Sequence, residues 1–205
     1  MVTMLIACGA LLASLSPLPY VRDIMRRRAR PRIISWVIWA ALLAVMTYAA
    51  SMEGRTASAL LSGVSALSCG MIAVVGWRVG SRQIGKLDRV ALIGAVISMA
   101  ILVSTKDTLL ALVAMVFVDA LAYVPTLWNA WMTPHHESLI SWSMSMVASG
   151  LIATAAILSR DGLSGLIYPL YSVSFAILMV LILLSSRWRV SRSLTEYEVP
   201  RNSVS

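Results

Sequence analysis

One carboxylate stands apart in this 205-residue chain. Asp119 is flanked by the apolar runs 111–118 and 120–124. An acid at bilayer depth costs about 2.5–3.5 kcal/mol on insertion scales, so it turns to the protein interior and has a partner or a task. Tyr123, four residues on, shares its helical face. The pair fits proton or cation coupling, or direct contact with a solute. The plainer alternative is a carboxylate that ties two helices together.

The other chemistry-bearing residues are sparse. Ser141, Ser145 and Ser149 recur every four residues and mark a close-packing or hydrogen-bonding helix face. His135, His136 and Glu137 form a short polar run too thin for a metal site, and read as a solvated loop. Cys8 and Cys69 lie inside apolar runs and read as small buried residues, not as a disulfide or metal pair. The apolar stretches contain no paired catalytic carboxylates, metal-ligand spacing or nucleophile–base pair. No enzyme activity, metal or cofactor is expected. A retinal-type Schiff base is excluded too, since the only lysines, Lys86 and Lys106, fall outside the last apolar stretch.

The elements that carry these residues follow from composition. The chain is 59% hydrophobic and 13% charged, too apolar for a soluble domain of this size. Seven stretches have roughly the 20-residue length a spanning helix needs: 2–19, 33–52, 58–77, 87–104, 108–131, 138–158 and 163–186. They lack the alternation of barrel strands. An all-α membrane protein with seven transmembrane helices is expected.

The net charge of +8 has a side. No basic residue precedes the first stretch, and Arg22, Arg26, Arg27, Arg28, Arg30 and Arg32 follow it, the reverse of a signal peptide. Segments 20–32, 78–89, 132–137 and 187–205 hold 14 of the 17 Lys and Arg. Arg55, Lys106 and Arg160 lie between the other ends, each beside one acid: Glu53, Asp107 and Asp161. The positive-inside rule then puts the N-terminus outside and the C-terminus in the cytoplasm. The charge is an orientation signal, with no nucleic-acid partner implied. Trp36, Trp39, Trp77, Trp128, Trp131, Trp142 and Trp188 fall at the inner ends, and Tyr48, Tyr168 and Tyr171 toward the outer ends, as aromatic belts do. Trp36 and Trp142 have a sharper reading, as the lining of a solute path.

An internal repeat frames the rest. At an ungapped offset of 106 residues, Pro19 meets Pro125 and Ile34-Ser35-Trp36 meets Ile140-Ser141-Trp142. Ser68 meets Ser174 and Val74 meets Val180 at the same offset. Stretches 1–3 thus repeat as 5–7, with the fourth as linker. Three helices, an odd number, intervene between equivalents, so the repeats run parallel about an axis along the membrane normal, and a site is expected between them near the midplane. Pro19 and Pro125 each remove a helical hydrogen bond. They are either matched hinges or helix ends.

A 3+1+3 parallel repeat, N-terminus outside, with a proline toward the inner end of each repeat's first helix, resembles the SWEET / PQ-loop transporter superfamily over nearly the whole chain. The second repeat carries the likeness best, in Asp119-Ala-Leu-Ala-Tyr-Val-Pro-Thr-Leu and His136-Glu-Ser-Leu-Ile-Ser-Trp. The family's Pro-Gln pair is Pro19-Tyr20 and Pro125-Thr126 here, and the third helix of each bundle lacks the Asn of sugar carriers. The resemblance implies three-helix bundles over 1–80 and 107–186, a linker over 81–106 and a basic tail over 187–205. It further implies a multi-pass protein of a bacterial inner membrane that moves a small polar solute by alternating access, with a monomer sufficient. A non-transporting receptor of the same fold is the alternative. The residues expected to bind or couple are Asp119, Tyr123, Ser68, Ser174, Trp36 and Trp142.

Overall fold

The computed structural model describes the chain outside residues 53–55, 82–83, 106–107, 161 and 199–205. Glu53, Arg55, Arg82, Lys106, Asp107, Asp161 and Arg201 therefore lie outside the described residues, as do the side chains from 190 onward.

The described residues are all-helical, with no strand beyond one isolated bridge between Arg32 and Ser81. The helices are α1 (Val2–Leu15), α2 (Pro17–Met25), α3 (Ile33–Met52), α4 (Thr56–Gly76), α5 (Lys86–Thr105), α6 (Thr108–Met132), α7 (Leu139–Ser159) and α8 (Gly162–Glu198). Five helical stretches are long and apolar enough to cross a membrane: Val2–Met25, Ile33–Met52, Leu112–Met132, Leu139–Ser159 and Gly165–Arg189. Within α4, Ser62–Gly76 is a shorter apolar helix. The chain is thus a multi-pass membrane protein by length and composition.

The first span is longer than its apolar run because neither proline ends it. Pro17 and Pro19 lack the N–H groups that Ala13 and Leu15 would accept. Ser16 keeps helical angles (φ −57°, ψ −32°), and its hydroxyl donates to the Ala13 carbonyl at 2.9 Å. The helix therefore runs on to Met25. Pro125 likewise sits inside α6, which continues to Met132. Of the two readings, hinge or helix end, neither proline ends its span: Pro19 lies in the first turn of α2, just past the break at Ser16, and Pro125 lies inside α6.

Neighbours are close and regular. α3 packs along α4, α7 along α8, α1 along α7 and α5 along α6; α6 also meets α8 and α3, and α1 and α2 meet α4. In lipid such contacts rest on tight packing rather than on removing surface from water. Gly9 on α1 shows how tight: a Cβ there would stand 2.7 Å from Ile152 Cγ1 and 3.2 Å from the Ala148 carbonyl of α7. Gly9 is the one buried residue of α1. Cys8, one position away, faces out and is exposed, against the expectation of burial, whereas Cys69 is buried. Below the bundle the loop after α4 returns to the start of α3. Ser81 N–H donates to the Pro31 carbonyl and Ile33 N–H to the Ser81 carbonyl, both at 3.0 Å. Arg32 Nη2 pairs with Asp88 Oδ2 at 2.6 Å, and Gly85 N–H donates to the same oxygen at 2.8 Å. Asp88 is in the first turn of α5, where the helix dipole favours an acid.

Candidate functional site

A cavity of about 130 Å³ lies inside the helices. That volume holds several waters or a small solute. Its wall takes Ala13 from α1, Ser16 between α1 and α2, Tyr20 from α2, Trp36 and Trp39 from α3, and Ser68 and Cys69 from α4. From the other half come Asp119 and Tyr123 of α6, Ser141, Trp142, Ser145 and Ser149 of α7, and Tyr168 and Ser172 of α8. No described residue of α5 lines it.

Asp119 is held by α8. Tyr171 Oη donates to Asp119 Oδ2 at 2.6 Å. Tyr171 was expected in an outer aromatic belt; the structure turns it inward, to the acid. The other carboxylate oxygen accepts no hydrogen bond from a described residue. Tyr123 stacks on Trp39 (ring centroids 4.4 Å apart) and on Phe175 (4.6 Å). Trp36 and Trp142, equivalent at the 106-residue offset, approach to 6.1 Å across the centre. Trp36, Trp39 and Trp142 are buried at 7%, 3% and 6% exposure. These three are cavity walls and not interface anchors. Trp77, Trp128, Trp131 and Trp188 are exposed, as belt residues should be.

The serines divide. Ser68 lines the cavity, but Ser174 is exposed and its hydroxyl donates to its own helix at the Leu170 carbonyl. Ser172 takes the place inside and shares a 3.0 Å hydrogen bond with Ser149. Two residues along a helix is a turn of roughly 200°, so Ser172 and Ser174 face opposite ways. Ser141 also lines the cavity, and its hydroxyl donates to the Ser16 carbonyl at the interruption between α1 and α2.

Glu137 is the residue that sequence reasoning missed. It follows the short 3-10 turn Pro134–His136 and was expected to be solvated, yet it is only 2% exposed. Tyr20 Oη donates to Glu137 Oε2 at 2.7 Å and Trp142 Nε1 donates to the same oxygen at 3.1 Å. Arg187 Nη2 of α8 donates to its backbone carbonyl at 2.8 Å. Next to it Ser138 Oγ donates to Asp23 Oδ2 at 2.7 Å. Burial pushes the Glu137 carboxyl up from its ordinary value of 4.5 to about 7, against the opposing pull of these donors. The only signal in the chain was the matching aromatic frame: Tyr20 and Trp142 each needed a polar partner for a buried O–H or N–H. Among the described residues no group of three or more His, Cys, Asp and Glu is arranged to hold a metal.

Comparison of the chain with protein-family models, curated proteins and solved structures returned no match.

Proposed function

We propose that this protein carries a small polar solute across a membrane by alternating access between two parallel three-helix bundles. In this reading the bundles are α1–α4 and α6–α8, and α5 is the linker of a seven-span protein. The supporting observation is the central cavity, walled by helices of both halves with no described residue from the linker. The packing pairs also correspond under the 106-residue offset. α3 with α4 answers to α7 with α8, α1 and α2 with α4 to α6 with α8, and α1 with α7 to α6 with α3. Both features belong to the SWEET / PQ-loop style of architecture that the sequence resembles.

Asp119 is the acid that couples or contacts the solute. Pro19 and Pro125, inside helices that continue past them, are the interruptions at which each half bends. Tyr20 and Trp142, both on Glu137, close the inner side. The basic segments, Arg26, Arg27 and Arg28 among them, put the N-terminus outside and the C-terminus in the cytoplasm of a bacterial inner membrane.

The test is uptake into proteoliposomes of labelled sugars, amines, amino acids and organic acids, with and without a pH gradient. Saturable uptake of one solute is expected, with loss in Asp119→Asn. Saturable binding with no flux of any solute overturns transport in favour of a receptor. Wild-type flux in Asp119→Asn removes the acid from the mechanism.

A further inference from the structure

The cavity has a charge and a surface chemistry that narrow the solute, granted the transport reading above. Among the described residues that line it, Asp119 is the only acid and none is Lys, Arg or His. Tyr171 satisfies one carboxylate oxygen and leaves the other without a donor among the described residues. An unneutralised acid at that depth is costly, and it must take up a proton or meet a cation.

Four of the six aromatic rings that line the cavity form one cluster. Trp36, Trp39, Trp142 and Tyr123 are linked by centroid separations of 4.4 to 6.5 Å. Their ring faces carry the negative lobe of the quadrupole and attract a poorly hydrated cation within about 6 Å of a centroid. One carboxylate beside clustered rings is the recognition chemistry of an organic ammonium group. The missing basic side chain adds a second restriction. A ligand carboxylate or phosphate would enter without a partner, and a desolvated anion in such a place is strongly disfavoured.

We propose that the cavity selects a small organic cation with an ammonium head and no anionic group, held between Asp119 and the rings of Trp36, Trp39, Trp142 and Tyr123. The serine hydroxyls, Ser68 and Ser145 among them, then serve the ligand's own hydroxyl or N–H groups. The other titratable groups near Asp119 are Cys69 of α4, Tyr123 of α6 and Tyr168 and Tyr171 of α8. The proton and the cation compete for its one carboxylate, so cation occupancy falls as the medium is acidified.

Choline, tetramethylammonium and glycine betaine serve as probes of the full chain in nanodiscs. Binding is read by tryptophan fluorescence and by titration calorimetry. Choline and tetramethylammonium should bind saturably. Glycine betaine, which adds a carboxylate to the same head, should bind about tenfold or more weakly. Asp119→Asn should weaken choline about tenfold and Trp142→Leu several-fold, while Asp119→Glu keeps most of the affinity. Thermal unfolding of each variant separates lost binding from lost fold.

The proposal is overturned if glycine betaine matches choline, if sodium chloride at equal concentration displaces choline, or if folded Asp119→Asn binds like wild type. Saturable flux of a neutral solute with no cation binding also overturns it and leaves the transport reading standing. Cation binding without flux does the opposite.

Discussion

The seam between α1–α2 and α7 and the seam between α3 and α6 occupy equivalent positions under the 106-residue offset, yet they are held differently. The first is hydrogen-bonded at its α2 end and close-packed along α1. Ser141 donates to the Ser16 carbonyl, Tyr20 to Glu137 and Ser138 to Asp23, and Gly9 lets the backbones close. The second is carried by rings, above all Trp39 on Tyr123. Three buried polar atoms on its helices, Ser35 Oγ, Trp39 Nε1 and Thr126 Oγ1, have no partner among the described residues. Ser35 is the counterpart of Ser141, and Thr126 of Tyr20. An unpartnered buried group carries a desolvation penalty that a made hydrogen bond removes. One seam is latched by hydrogen bonds, and the other leaves buried donors without a partner among the described residues.

The sharpest way to break this comparison is at Glu137. Glu137→Ala strands two buried donors, Tyr20 Oη and Trp142 Nε1, and should lower stability by about 3 kcal/mol. Thermal unfolding in micelles measures it, and a loss no larger than that of Thr126→Val would abolish the distinction between the seams. The pH dependence is of similar size. Glu137 binds its proton more tightly in the native state than in the unfolded chain, so stability is greatest below about 4.5 and falls as pH rises toward about 7. The full drop is about 3 kcal/mol, and Glu137→Gln, which cannot ionise, should flatten the profile between those values. Around its carboxyl are Tyr20 on α2, Asn129 on α6 and Trp142 on α7, while Arg187 on α8 holds its backbone carbonyl and Asp23 on α2 holds the adjacent Ser138.

Smaller effects sharpen the contrast. Tyr20→Phe removes one hydrogen bond from a buried acceptor and should cost about 1–2 kcal/mol in the same unfolding assay. At the opposite seam, Thr126→Val replaces an unpartnered hydroxyl by a methyl of similar shape. It should change stability by about 0.5 kcal/mol or less, or raise it. If Thr126→Val impairs flux without touching stability, the hydroxyl is used in the other arrangement of the halves.

Apolar length made the helices legible in the sequence, and the Pro and Ile-Ser-Trp frame singled out Trp36 and Trp142, which both line the cavity. What escaped was set by rotation and by distance along the chain. Ser174 was named from the offset, but helical phase gives the inward place to Ser172. Glu137 beside two histidines has the local composition of a wet loop, and nothing near it signals Tyr20, 117 residues away. Tyr171 was read from its depth in the span, which says nothing about which way a ring points. Hydropathy reports how far into the membrane a residue sits; its neighbour across the bundle is a tertiary fact.

The Arg32–Asp88 ion pair has a mechanical consequence. It fastens the start of α5 to the loop that begins α3, while α5 lies along α6 for much of its length, with Gly94 against Val118. α5 is therefore stitched to its neighbours on both sides like the spine of a book. A displacement of α6 is thereby carried through α5 to the start of α3, and the Arg32–Asp88 pair is the joint that transmits it.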